Sequence, residues 1–208
     1  QDCSPTRLIR LFVAALGLGF TGPAHAQLVT TLAVESDYRL RGRSLSAERP
    51  VAIASLAYDH PTGVYLAGSA VGAFRNGPML VSLQGNVGYA RRLGSALSID
   101  GGIVRSEYMS SYSDGRSAHY TELYLGLATR HLSSRLYYSP DYFRAGTETL
   151  YAEVEAAIRP VPNWRLNGHV GALTYLRQRP AYSSRNHFDW RLGATREFGA
   201  FEVHATVS

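Results

Sequence analysis

The chain of 208 residues has no lysine, a single cysteine, and no long apolar run beyond its first 26 residues. Without paired cysteines an exported protein cannot be cross-linked and must be held by its core or its backbone ladder. Without a stretch of roughly 20 apolar residues no helix spans a bilayer, which excludes a helical membrane protein. The cationic charge is entirely arginine, 21 residues against 16 acids, for a net +5 and a pI near 9.5. These arginines are scattered rather than gathered into a stripe, which argues against a nucleic-acid partner. Cysteine pairs, H-E-x-x-H, an EF-hand loop, a Walker sequence and G-x-S-x-G are also missing, so no cofactor or metal is expected. What is present, 45% apolar and 18% charged residues with 20 Gly and 14 Tyr, describes a chain that folds.

The one apolar run, Leu11 to Phe20, follows Arg7 and Arg10 and is followed by Ala24-His25-Ala26. A basic start, a short apolar centre and a small-x-small end are the parts of a secretory signal peptide, here residues 1–26 with cleavage before Gln27. Removing it takes away Cys3 and leaves 182 residues, 27–208, with 19 Arg and 15 acids.

Throughout those 182 residues apolar and polar side chains alternate with period two, the signature of half-buried strands. Leu150, Ala152, Val154, Ala156 and Ile158 share one face opposite Tyr151, Glu153 and Glu155. Leu123, Leu125 and Leu127 oppose Glu122, Tyr124 and Gly126 in the same way, and Phe201, Val203, Ala205 and Val207 oppose Glu202, His204 and Thr206. Turn residues bound strands near 28–41, 50–59, 64–74, 79–92, 96–108, 118–130, 135–143, 147–159, 164–176, 186–197 and 201–208. Most match the length of about 9–11 residues that a tilted transmembrane strand requires.

The connections sort by parity. His60 to Gly63, Leu93 to Ser95, His131 to Ser134, Pro160 to Asn163 and Phe198 to Ala200 are tight. Gly42 to Arg49, Met109 to Ser117, Ser139 to Gly146 and Arg177 to Arg185 are longer and polar, and only Arg75 to Pro78 is brief among them. Short turns at one rim and long loops at the other describe an all-β, antiparallel, up-and-down transmembrane barrel of the bacterial outer membrane. Such barrels have an even strand number, so eleven strands imply about twelve when complete, the closing strand lying beyond Ser208.

Ser36-Asp37-Tyr38-Arg39-Leu40-Arg41-Gly42, after Leu32-Ala33-Val34, resembles the opening of the TorF-type porin family of proteobacterial outer membranes. Further blocks follow in the family's order: Tyr58-Asp59-His60 with Gly63 to Gly68, Tyr120 to Leu127, Tyr137 to Phe143, and Tyr151-Ala152-Glu153. The likeness spans nearly all of 29–207. The chain departs from it at Arg43-Ser44-Leu45-Ser46, where a Ser-Gln pair is usual, and at Ser69-Ala70-Val71. The resemblance implies an outer-membrane location and a porin fold more firmly than a substrate.

If the apolar face meets lipid, the other face lines the interior: Gln84, Asn86, Asp100, Glu122, Glu153, Glu155, Arg165, Asn167, His169, Asp189, Arg191, Glu202 and His204. These pore-lining candidates form either a narrow polar passage for small hydrophilic solutes or a plug of paired charges in a closed structural or adhesive barrel. A barrel of about twelve strands lies between filled and open sizes and does not choose. Tyr38, Tyr58, Tyr65, Tyr89, Tyr108, Tyr120, Tyr175 and Trp164, near strand ends, suit interfacial girdles. Loop residues Arg41, Arg43, Arg49, Arg116, Arg144, Arg177, Arg179 and Arg185 could grip lipopolysaccharide phosphates through their guanidinium forks, or be solvated charge. A barrel enzyme acting on lipid or lipopolysaccharide acyl chains, using His119 or His187, is the rival class. A catalytic triad's geometry is not legible in one sequence, and the expectation is of a protein that is not an enzyme.

Overall fold

The computed structural model describes residues 9–11, 27–74, 77–109, 118–181 and 184–208. Every regular element in them is a strand: β1 Ile9–Leu11, β2 Gln27–Glu35, β3 Arg39–Leu40, β4 Arg43–Ser44, β5 Val51–Asp59, β6 Val64–Phe74 and β7 Pro78–Leu93, then β8 Leu97–Tyr108, β9 Ala118–Ala128, β10 Leu132–Ser139, β11 Thr149–Ile158, β12 Trp164–Tyr175, β13 Asn186–Phe198 and β14 Phe201–Val207. Eleven of them, β2 and β5 to β14, form one antiparallel sheet in which each strand pairs with its neighbours in sequence. The short β3 and β4 make a separate ribbon in the connection after β2. Of the expected leader only β1 is described, and its backbone pairs with the outer edge of β14, Ile9 opposite Ala205.

The sheet is held by a ladder that runs unbroken along nearly every strand pair, so the backbone donors and acceptors between its edges are met within the sheet. One irregularity is informative. Between β6 and β7 the register shifts at Val71/Gly72, and both Val81 and Ser82 are buried where alternation would place one of them outside. This bulge moves the inward parity of β7 by one residue, so that Ser82, Gln84 and Asn86 share a face.

The two faces of the sheet differ in kind. Outward positions carry Leu, Val, Ile and Phe, and thirty-five large apolar side chains among the described residues are exposed, Leu125 by 71% and Phe188 by 73%. The inward face is polar and tyrosine-rich. The sheet curls so that inward residues far apart in strand order meet: Tyr65 of β6 hydrogen-bonds Tyr124 of β9 and, at 3.1 Å, Asp100 of β8.

Connections alternate as the sequence predicts, tight between β5 and β6 and between β13 and β14, long between β2 and β5, β10 and β11, and β12 and β13. Gly63 serves one tight turn at a φ of +97°, and a side chain there would collide with the Ala90 carbonyl. The loop 110–117 lies outside the described residues.

Two expected strands differ from the structure by more than two residues at a border. The first ends at Glu35, not at residue 41, because Asp37 draws in Arg39 Nε at 2.6 Å and the Ser44 and Ser46 hydroxyls at 2.5 and 2.9 Å, which turns the chain out of the ladder. The strand expected at 135–143 runs instead from Leu132 to Ser139. Thr129 N donates to the Leu132 carbonyl and makes the turn earlier, while Pro140 has no N–H to continue the ladder.

Beneath the long loops the interior is closed by an aromatic layer. Tyr108, Tyr120, Tyr142, Tyr151, Leu173 and Tyr175 are buried together, joined by Tyr38, Leu40, Leu45 and Phe143. Ring centroids of Tyr120 stand 4.9 Å from Tyr142 and 4.8 Å from Phe143, within the range of favourable offset and tilted contacts. A smaller apolar cluster, Val51, Val71, Ala73 and Val81, completes the layer on the other wall. Tyr38, Tyr65, Tyr108, Tyr120 and Tyr175 therefore do not belong to an interfacial girdle: they point inward, whereas Tyr89 and Trp164 are exposed outside. Truncating Tyr120 empties the centre of this layer. Tyr120→Ala is expected to lower stability by about 3–5 kcal/mol, read from urea unfolding. Tyr120→Phe should cost far less, since the hydroxyl has only a long contact of 3.4 Å to Tyr108.

Candidate functional site

Below the aromatic layer lies a cavity of about 350 Å³ whose walls are polar. Of the thirteen predicted lining residues, Gln84, Asn86, Glu122, Glu153, Glu155, His169, Asp189 and Arg191 border it. Asp100 joins the same network one step away, accepting from Arg135 at 3.0 Å. The remaining four sit lower, towards the short turns. Arg165 pairs with Glu202 at 2.8 Å, His204 Nδ1 meets the Thr195 hydroxyl at 2.6 Å, and the side-chain amide oxygen Oδ1 of Asn167 is buried without a partner.

The most consequential residue of the cavity is one that the sequence placed on the outer rim. The segment Ser36 to Ser46 folds inward, and Arg41 enters the interior, its side chain 7% exposed. Its Nη2 donates to Glu122 Oε1 at 2.7 Å, and the Glu122 side chain is 5% exposed. The guanidinium carbon stands 4.0 Å from the Tyr151 ring centroid, 5.1 Å from Tyr142 and 5.6 Å from Tyr137. This cation–π enclosure offsets part of what burial costs the charge. Burial alone would lower the Arg41 pKa, but the Tyr142 and Glu122 oxygens outweigh it and hold the value above that of an ordinary arginine. The other loop arginines behave as expected of a rim: Arg43, Arg49, Arg144, Arg177, Arg179 and Arg185 are exposed, and Arg116 lies outside the described residues.

The inward segment is seated by backbone as well as side chain. Arg41 and Gly42 both have positive φ, 48° and 75°. His187 Nε2 is 3.0 Å from the Arg41 carbonyl, and a Cβ on Gly42 would lie 2.9 Å from that of Asp189. Only glycine permits this approach at this φ. Asp37, wholly buried, organises the segment from within through Arg39, Ser44 and Ser46.

Around the cavity the charges are mostly paired. His169 Nε2 lies 2.9 Å from Asp189 Oδ1, and the Tyr151 hydroxyl donates to the same carboxylate at 3.2 Å. Arg191 reaches Glu155 at 3.3 Å, and His169 Nδ1 stands 3.5 Å from Glu155, an ion-pair distance too long for a hydrogen bond. The Tyr137 hydroxyl donates to Glu153 at 3.1 Å. Tyr65, Tyr124, Tyr137 and Tyr151 were not among the predicted lining residues. Their parity could have placed three of them, since Tyr124 shares a face with Glu122, and Tyr151 with Glu153, while Tyr137 pairs across the ladder with Tyr151. They fit because glycines face them: the hydroxyls of Tyr65 and Tyr124 rest over Gly88, and that of Tyr151 over Gly171.

A family model for a bacterial protein of unknown function, Gcw_chp, matches residues 21–206. The chain belongs to the Gcw_chp family. No curated protein and no solved structure matches it. The match runs across β2 and β5 to β13 and nearly all of β14, so the inward segment and the cavity it closes both fall within the part of the Gcw_chp chain that defines the family.

Two substitutions test how the segment is seated. Glu122→Ala leaves the Arg41 guanidinium buried without its counter-charge and should cost about 3–5 kcal/mol in unfolding free energy. Gly42→Ala should unseat the segment while leaving the sheet intact. Trypsin would then cleave after Arg41 or Arg43 at an enzyme level that leaves the parent protein whole there; equal resistance in both proteins would count against the seating described.

Proposed function

We propose that this Gcw_chp protein is an outer-membrane β-barrel that passes small hydrophilic solutes through a polar lumen throttled by the segment Ser36 to Ser46. One observation carries the reading: the distribution of side chains is inverted, with apolar residues exposed outside and charged residues enclosed. Withdrawing a Leu, Val, Ile or Phe side chain from water is worth about 1.5–3 kcal/mol when complete. Thirty Leu, Val, Ile and Phe side chains exposed among the described residues forgo that gain in water. A hydrocarbon surrounding supplies it, and the ladder meets the backbone groups of the strands between β2 and β14, whose outer edges the proposed closing strand would pair.

Three further features support the reading. Short turns and long loops segregate to opposite rims, strands are of spanning length, and the blocks resembling TorF-type porins occur in order along the sheet. An export signal over residues 1–26 and barrel closure by a strand between β14 and β2 belong to the same proposal. The exposed arginines at the long-loop rim, Arg43, Arg49, Arg144, Arg177, Arg179 and Arg185, would face lipopolysaccharide phosphates there. The aromatic layer under the loops favours a second reading, a barrel sealed for a structural role.

Conductance separates the two. Refolded protein in planar bilayers should give small, discrete current steps, and Arg41→Ala, which frees the inward segment, should enlarge them. Silence from both proteins at every voltage would leave the sealed barrel. The membrane itself is tested outside the lumen: Leu125→Arg, on the outward face of β9, should cost about 2–4 kcal/mol of stability in lipid if it lies near the bilayer midplane. Recovery of the protein from the aqueous periplasm, without detergent, would contradict the proposal.

A further inference from the structure

We propose that the cavity beneath Arg41 binds a small zwitterion, its carboxylate on Arg41 Nη1 and its ammonium on Glu153. The inference rests on the lumen being open to solutes, and it adds which class of solute is held there.

Almost every charge bordering the cavity already has an opposite partner. Arg41 Nη2 is taken by Glu122, Arg135 by Asp100, Arg191 by Glu155, His169 by Asp189, and Arg39 by Asp37. Two groups stand out against this pairing. Arg41 Nη1 is buried with no hydrogen-bond partner, on a side chain more than nine-tenths buried. A buried guanidinium donor left unmet costs about 1–3 kcal/mol or more, and a carboxylate is the acceptor that best satisfies it. Glu153 is the complementary case: among the described residues it makes no ion pair within 4 Å, feels the charges of His169 and Arg41 only from further off, and accepts the Tyr137 hydroxyl.

These two unmet groups flank one aromatic ring. The Arg41 guanidinium lies 5.6 Å from the centre of the Tyr137 ring, and the hydroxyl of that ring is bonded to Glu153. Both border the same cavity, with Tyr124 and Tyr151 beside them. A solute bearing an anion at one end, a cation at the other and a short aliphatic body between would meet both charges and lie along the rings. A simple carboxylate would leave Glu153 unmet and close to its own charge. A simple ammonium would leave Arg41 Nη1 unmet, with Arg39, Arg135 and Arg191 nearby. The volume of about 350 Å³ falls at the lower end of small-molecule sites and suits a solute of this size.

Three probes of one length test it: 5-aminopentanoate, pentanoate and pentylammonium. Their binding to the refolded full chain in detergent is measured by titration calorimetry, and the block of channel current is measured in bilayers. The zwitterion should bind at least about tenfold more tightly than either singly charged probe, the ratio expected from one additional charge-assisted hydrogen bond. Glu153→Gln should reduce that preference by about tenfold, bringing the zwitterion close to pentanoate. The wild-type comparison decides by itself should the variant fail to refold. A conducting protein that binds the three probes alike, or none, overturns the zwitterion site and leaves the porin reading standing. Selective binding of the zwitterion by a protein that never conducts supports the site and overturns the porin.

Discussion

The pleat of a β-strand sends successive side chains to opposite faces, and this chain keeps one face apolar along eleven strands. The rest of the structure follows from that constraint. Once Leu, Val and Phe are committed outward, each polar residue between them must face inward, where the curl of the sheet brings it against polar residues of distant strands. The interior then has to satisfy its own charges. It does so by pairing Arg135 with Asp100, Arg191 with Glu155 and Arg165 with Glu202, and by laying tyrosines over inward glycines to fill the remaining space.

Arginine is suited to such an interior in a way that lysine is not. A planar guanidinium can stack on an aromatic ring while donating sideways to a carboxylate, and Arg41 does both at once with Tyr151 and Glu122. The absence of lysine from the whole sequence thus agrees with an interior built from flat groups, namely guanidinium, phenol, imidazole and carboxylate.

Most strands were legible because period-two alternation depends only on neighbouring residues. β5, β6, β8 and β12 lie within a residue of their predicted borders, and the parity of β9 and β11 placed Glu122, Glu153 and Glu155 inside. The failures lie where a residue's place is set by something distant. Tyr120 and Tyr175 sit near strand ends, which suggests a lipid headgroup, but they share their parity with Glu122 and His169 and so face inward. Arg41 carried no local mark to separate it from Arg43 two residues on. Its partners, Glu122 and His187, lie 81 and 146 positions along the chain. The Ser-Asp-Tyr-x-x-Arg-Gly motif was recognisable as a pattern, while its purpose, a turn organised by Asp37 that delivers Arg41 into the cavity, required the seat to be seen.

That separation in sequence also sets an order of assembly. The segment after β2 is synthesised among the first parts of the folded region, yet Gly42 rests against Asp189 and the Arg41 carbonyl against His187, both on β13. The Arg41 side chain finds Glu122 on β9 and Tyr151 on β11, but the backbone of the segment has its seat only once β13 is present, and contacts of such long range form slowly. The seat of the segment is therefore complete only when β13 is in place. The motif nearest the start of the sheet thus depends on a strand near the other end of it, so the cap of the cavity is secured only by walls already built.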